Sequence, residues 1–128
     1  MIYVDTSAAL KAIIAEPETP QVRAILSTAP SLVSSRLLAV ELHAVAARRV
    51  LPAASITALL DGISLVSLDD DVAQRAIDLR SGLRSLDALH LATATRLASV
   101  LTGVLTYDTE LRTAAEARSL PVLPAVHA

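Results

Sequence analysis

The sequence predicts an α/β fold with a short, mainly parallel central sheet. Short β-branched runs alternate with helical apolar patterns along the 128-residue chain. Such alternation pairs strands in parallel through right-handed crossovers. In addition, the segments MIYVDTSA and VLTYDTEL each carry a β-branched run into an aspartate that opens a helix.

The elements follow in order. Residues 2–4 read as a buried strand and 6–15 as a helix, with Asp5 or Thr6 as its cap. Thr19-Pro20 reads as an N-cap followed by proline at the first helical position, starting a helix to about residue 27. A strand is expected over 31–34, then a helix capped by Ser34 or Ser35 and running to about Val50. Pro52 marks a break before a helix over 53–62. A strand over 64–68 leads to Asp69, Asp70 and Asp71, whose charges favour the N-terminus of a helix to about Arg80. Residues 81–84 form a loop and 86–98 a helix. A strand over 101–106, a helix over 108–118 and a strand over 121–123 complete the chain. No linker, internal repeat or low-complexity tract divides it, so one domain over 1–128 is expected.

The hydrophobic fraction of 53% comes largely from Ala and Leu, which favours helices and a packed core. No window reads as a membrane span, because the apolar stretch 37–54 contains Glu41, His43, Arg48 and Arg49. The N-terminus lacks a basic segment followed by an apolar one, so no signal peptide is read and a cytoplasmic location is expected. The absence of cysteine excludes disulfides, thiolate zinc sites, iron–sulfur clusters and a cysteine nucleophile. A net charge of −2, from 13 acids and 11 bases, is not that of a generic nucleic-acid binder. Ten of the bases are nevertheless Arg, the better bidentate partner for phosphate. Tyr3 and Tyr107 are the only aromatics, too few for a base-stacking platform.

Four carboxylates stand out: Asp5, Glu41, Asp87 and Asp108. Ligands of open parallel sheets bind beyond the carboxyl ends of the strands, where Asp5 and Asp108 fall. Glu41 has Leu38, Leu42 and Val45 at offsets of −3, +1 and +4, so it projects from an apolar helical face. Asp87 opens a helix with His90, Leu91 and Ala94 along its face. Singly, Asp5, Asp87 and Asp108 read as caps, and Glu41 as half of a buried ion pair with Arg36 or Arg84. Together they point to a cation. Two like charges about 4 Å apart repel by about 4 kcal/mol at an effective dielectric near 20. Oxygen-only donors favour Mg²⁺, Mn²⁺ or Ca²⁺. His43 and His90 lie within apolar helical patterns and read as packed or hydrogen-bonded rather than catalytic. His127 is assigned no role.

At these residues the chain resembles a PIN-domain ribonuclease, specifically a VapC-type toxin of bacterial toxin–antitoxin pairs. The matching pieces are YVDTSA at 3–8, AVELHAV at 39–45, LDALHLATA at 86–94 and LTYDTEL at 105–111. The resemblance implies a three-layer α/β/α fold and Mg²⁺- or Mn²⁺-dependent RNA cleavage. It maps an acidic quartet onto Asp5, Glu41, Asp87 and Asp108, with Thr6 and Thr106 as polar supports. Asp5, Asp87 and Asp108 would hold the metal, with Glu41 completing the cage or orienting and deprotonating the attacking water. A homodimer and a small VapB-like antitoxin are the implied partners. Arg48, Arg49, Arg80 and Arg84 are candidates for phosphate contacts, or else solvated surface charges. Two rivals are an inactive relative that binds RNA or protein through the same cleft, and a receiver-like domain with an acidic pocket. Lys11, the only lysine, is not placed to serve the latter.

Overall fold

The computed structural model describes residues 1–125, so His127 lies outside the described residues. Strand β1 (Ile2–Val4) is buried along its whole length. Its side chains alternate between two faces, as a pleated strand requires. Ile2 and Val4 enter one apolar cluster and Tyr3 the other. Helices α1 (Thr6–Ile13) and α2 (Thr19–Thr28) follow, then β2 (Leu32–Ser35), α3 (Arg36–Arg49), α4 (Ala53–Asp61) and β3 (Ser64–Val66). The second half comprises α5 (Asp70–Leu79), α6 (Ser85–Arg96), a 3₁₀ turn (Ala98–Val100), β4 (Gly103–Leu105), α7 (Thr109–Ala117) and β5 (Val122–Leu123).

The five strands are ordered β3-β2-β1-β4-β5. Every pairing is parallel. The chain builds outward from β1 through β2 to β3, then returns to add β4 on the other side of β1. The order therefore reverses between β1 and β4, and a crevice opens beyond their carboxyl ends. One face of the sheet is covered by α1, α2, α3 and α4, whose Ala8, Val22, Leu38, Leu42 and Ile56 pack on Ile2, Val4 and Leu105. The other is covered by α6 and α7, whose Leu91, Ala94, Leu111 and Ala115 pack with Tyr3, Val33 and Val104. Helix α5 lies against α6. This is the expected α/β/α sandwich.

Several local expectations are revised. Thr19 is the first residue of α2, not its cap. Its hydroxyl accepts from the Glu16 amide and donates to the Lys11 and Ile14 carbonyls, fastening α2 to the end of α1. His43 is exposed rather than packed. Helix α3 ends on Val50, which is 89% exposed and left-handed at φ 53°. A β-branched residue is strained there, by about 1–2 kcal/mol, while glycine is the usual occupant. Val50→Gly is therefore expected to stabilise the protein by about 1 kcal/mol. Urea unfolding checks this; a variant less stable than the parent would show that Val50 contributes packing that its exposure does not reveal.

Candidate active site

The crevice is built first from Asp5. It follows β1 and caps α1, its Oδ1 accepting from the Ala8 amide at 3.0 Å. Ser7 Oγ donates to the same oxygen at 2.7 Å, and Thr106 Oγ1 donates to Oδ2 at 2.6 Å. The side chain is only 2% exposed. Burial pushes its pKa above the usual carboxylate range, even against these three donors.

Thr106 immediately follows β4, the strand beside β1. Its oxygen also accepts from the Asp108 amide at 3.0 Å. Ser7 makes a second tie, accepting from the Tyr107 amide at 2.9 Å. Asp108 caps α7 through Oδ1, which accepts from the Leu111 amide at 2.9 Å. Both Asp5 and Asp108 are thus caps and members of the crevice at once.

Glu41 reaches the site from α3, whose Leu38 and Leu42 are fully buried. Its Oε1 accepts from Thr6 Oγ1 at 2.7 Å and meets His90 Nε2 at 2.8 Å. Its partners are therefore His90 and Thr6, not Arg36 or Arg84. Burial alone would raise its pKa, but the His90 and Thr6 hydrogen bonds outweigh it and hold the group below the usual range. Asp87 sits in the first turn of α6 and does not cap it; Arg84 occupies the cap position. Among the described residues Asp87 has no hydrogen-bond partner. Its pKa is raised, first by burial and then by the negative charges of Asp108, Asp5 and Glu41. The four acids predicted from sequence therefore share one electrostatic neighbourhood.

Thr6 and Thr106 both support acids, but different ones: Thr6 holds Glu41 and Thr106 holds Asp5. Sequence reasoning missed Ser7 and the Tyr3–His90 pair. His90 is hydrogen-bonded, as expected of it, but its partner is a site carboxylate. Ser7 sits two residues beyond Asp5, a common place for a side chain that bonds back locally. Nothing local links Tyr3 to His90.

The donor set fits a hard divalent cation in kind. Glu41 Oε2, Asp108 Oδ2 and both Asp87 oxygens are uncommitted among the described residues. No three His, Cys, Asp or Glu side chains among those residues already stand as a ready-made cage. Mg²⁺ commonly takes one or two carboxylates and keeps several waters, so a closed cage is not required. Lys11 pairs with Glu16 and Glu18 on the surface, away from the acids. Of the proposed phosphate contacts, Arg48 shares a groove of about 340 Å³ with Glu41, Thr6 and Leu86.

The chain matches the PIN domain family model over residues 2–117 and belongs to that family. It is 41% identical over 118 residues to the ribonuclease VapC47 of Mycobacterium tuberculosis, spanning 87% of each chain. It is 37% identical over 128 residues to the ribonuclease VapC46 of the same organism, spanning 95% of each. Among solved structures it resembles a toxin–antitoxin complex from Klebsiella pneumoniae, with a TM-score of 0.69 and 23% identity over 85% of this chain and 88% of that one. It also resembles VapC20 of M. tuberculosis, a sarcin-ricin loop cleaving toxin, with a TM-score of 0.70 and 17% identity over 89% of this chain and 95% of that one. At these identities the two structural likenesses speak for the fold.

Burial of Asp5, and burial followed by like-charge repulsion at Asp87, shape the pH response of the metal-free protein. Asp87 and Asp5 have folded-state pKa values above their unfolded ones, so the folded state binds these protons more readily. Apo stability should rise as pH falls from neutrality through those folded values, and level off below the unfolded ones. Glu41 acts oppositely: its contribution is lost only as pH falls through its own, lowered value. Asp87→Asn in EDTA is expected to be at least as stable as the parent at neutral pH and to show a flatter rise on acidification. Urea unfolding across pH measures this. A marked loss of apo stability would make Asp87 a structural partner instead.

Proposed function

We propose that the chain is one nuclease domain over residues 1–128 that hydrolyses RNA phosphodiester bonds as the toxin of a toxin–antitoxin pair. The reading rests above all on Asp5 and Asp108 being tied together through Thr106 beyond the adjacent β1 and β4 ends. The VapC ribonucleases that the chain matches over most of its length support the same activity.

Asp5, Asp87, Asp108 and Glu41 would hold a divalent ion, Mg²⁺ or Mn²⁺, directly or through water. Bound there, the ion supplies Lewis-acid stabilisation of charge on the phosphate oxygens and a more acidic water. Asp5, gripped by three donors, is the fixed anchor. Asp87, with no such donors, is free to adjust. Glu41 is ionised at neutral pH and a weak proton acceptor, so its part is to orient the attacking water and share in holding the ion. In-line attack on the backbone phosphate leaves a 5′-phosphate and a 3′-hydroxyl. Arg48, in the groove beside Glu41, is placed to meet a neighbouring phosphate.

A VapB-like antitoxin is the proposed partner, in line with the toxin–antitoxin complex among the structural relatives. The exposed Val40 and Leu86 in the groove beside Glu41 offer apolar surface for it to cover. A homodimer and a cytoplasmic location belong to the same proposal. Among the described residues no helix is long and apolar enough to cross a membrane.

Incubation of purified protein with structured RNA tests the activity. Cleavage is expected with Mg²⁺ or Mn²⁺ and not in EDTA. Asp5→Asn and Asp108→Asn should each lose about 100-fold or more, beyond the 10- to 100-fold typical of groups that only support a metal ligand. Equal cleavage in EDTA, or unchanged cleavage by Asp5→Asn, would overturn the assignment. RNA retention without turnover under any metal would favour the inactive relative.

A further inference from the structure

The fourth acid, Glu41, is tied to a buried polar chain that begins on the far side of the sheet. His90 is 2% exposed and Tyr3 is fully buried. The Tyr3 hydroxyl lies 2.7 Å from His90 Nδ1. His90 Nε2 lies 2.8 Å from Glu41 Oε1 and 3.2 Å from Thr6 Oγ1. The two rings meet edge to face, with centroids 5.8 Å apart and planes at 81°.

The proton positions in this chain follow from satisfying each buried group. A phenol has one hydrogen, and leaving it unpaired in the interior is unfavourable. Among the described residues, His90 Nδ1 is the acceptor that the Tyr3 hydroxyl reaches. If the phenol donates there, Nδ1 is bare and the ring hydrogen sits on Nε2. Nε2–H then donates to Glu41 Oε1, alongside the Thr6 hydroxyl. The other tautomer would set an Nε2 lone pair against a carboxylate oxygen at 2.8 Å, which is repulsive. The Tyr3 hydroxyl and the Glu41 carboxylate therefore favour the same form of the ring, with a hydrogen on Nε2.

The contact also joins the two helical layers. Glu41 comes from α3, packed on the Ile2–Val4 face, and His90 from α6, packed on the Tyr3 face. They meet beyond the strand ends. With Oε1 held by two donors, the carboxylate cannot rotate freely, and Oε2 is left without a donor among the described residues.

We propose that His90, backed by the Tyr3 hydroxyl, is a positioning residue whose Nε2–H clamps Glu41 Oε1 and presents Oε2 to the divalent ion. This inference rests on the metal-dependent nuclease reading above. Partners of this kind typically alter metal affinity by about 10- to 100-fold when removed.

Two measurements test it. Long-range ¹⁵N–¹H correlation spectra of the metal-free protein should show a hydrogen on His90 Nε2. A ring with no hydrogen on Nε2 would overturn the proposal. Calorimetric titration with Mn²⁺ is the second measurement. His90→Leu should weaken binding by about 10- to 100-fold, and Tyr3→Phe by a smaller factor. His90→Gln, whose amide nitrogen takes the place of Nε2, should retain most of the affinity. Leu and Gln variants that bind equally, at any level, would overturn it. If the Leu variant does not fold, Gln and Phe, which keep the packing, carry the comparison: a Gln variant as weak as the Phe variant or weaker would count against the clamp. Wild type that binds Mn²⁺ but cleaves no RNA would sink the nuclease reading alone. Failure of the wild type to bind Mn²⁺ would overturn both.

Discussion

Burying the Asp5 carboxylate is the constraint on which the crevice depends. An ionised carboxylate moved out of water needs compensating donors, since the uncompensated penalty is several kcal/mol. Here the donors come from separate parts of the chain. The Ala8 amide and Ser7 hydroxyl belong to α1, and the Thr106 hydroxyl to the residue after β4. Solvation of Asp5 therefore requires β4 to lie beside β1 in register, with Leu105 opposite Val4. Ser7 and Thr106 then take the Tyr107 and Asp108 amides, which fixes the turn into α7. The buried Asp5 carboxyl group thus ties the β1 and β4 ends together and, through Thr106, fixes Asp108 beside them.

The fold was legible in the sequence because its signals are local. Asp5 and Asp108 each close a β-branched run, and each caps the helix it was expected to begin. Glu41 was found by its place on the apolar stripe of Leu38 and Leu42. What failed was decided at longer range. Thr19 followed by proline has the pattern of a cap, yet its hydroxyl is drawn to carbonyls at the end of α1. His43 sits in an Ala-rich helix that is apolar nearly all round, so its sequence does not say which flank faces solvent. The Tyr3–His90 bond joins residues 87 positions apart, and only the packing of α6 across β1 creates it.

The acids divide the electrostatic burden unequally. Asp5 has three donors, Glu41 two and Asp108 one, while Asp87 has none among the described residues. The field of the others therefore falls hardest on Asp87. A counter-charge gains most at that point, which is also the side chain with most freedom to meet it. The same field repels phosphate. A polyanionic substrate needs both a cation among the acids and nearby bases, and Arg48 beside Glu41 is the base placed for that.

The choice between helix cap and site residue, which sequence alone poses for these aspartates, is a false one. A helix N-terminus carries roughly half a positive charge, concentrated in its first turn. Asp5 and Asp108 cap α1 and α7, and Asp87 lies in the first turn of α6. Three helices thus begin at the crevice, and each offsets part of the charge it carries there. Capping gives Asp5 and Asp108 each a backbone amide to accept from. Glu41 comes from the interior of α3 and has no helix terminus to draw on. Its compensation has to be supplied by side chains, and Thr6 and His90 supply it. The same logic explains why the hydrogen-bonded histidine stands against a carboxylate: the one acid without a helix N-terminus needs a donor from elsewhere.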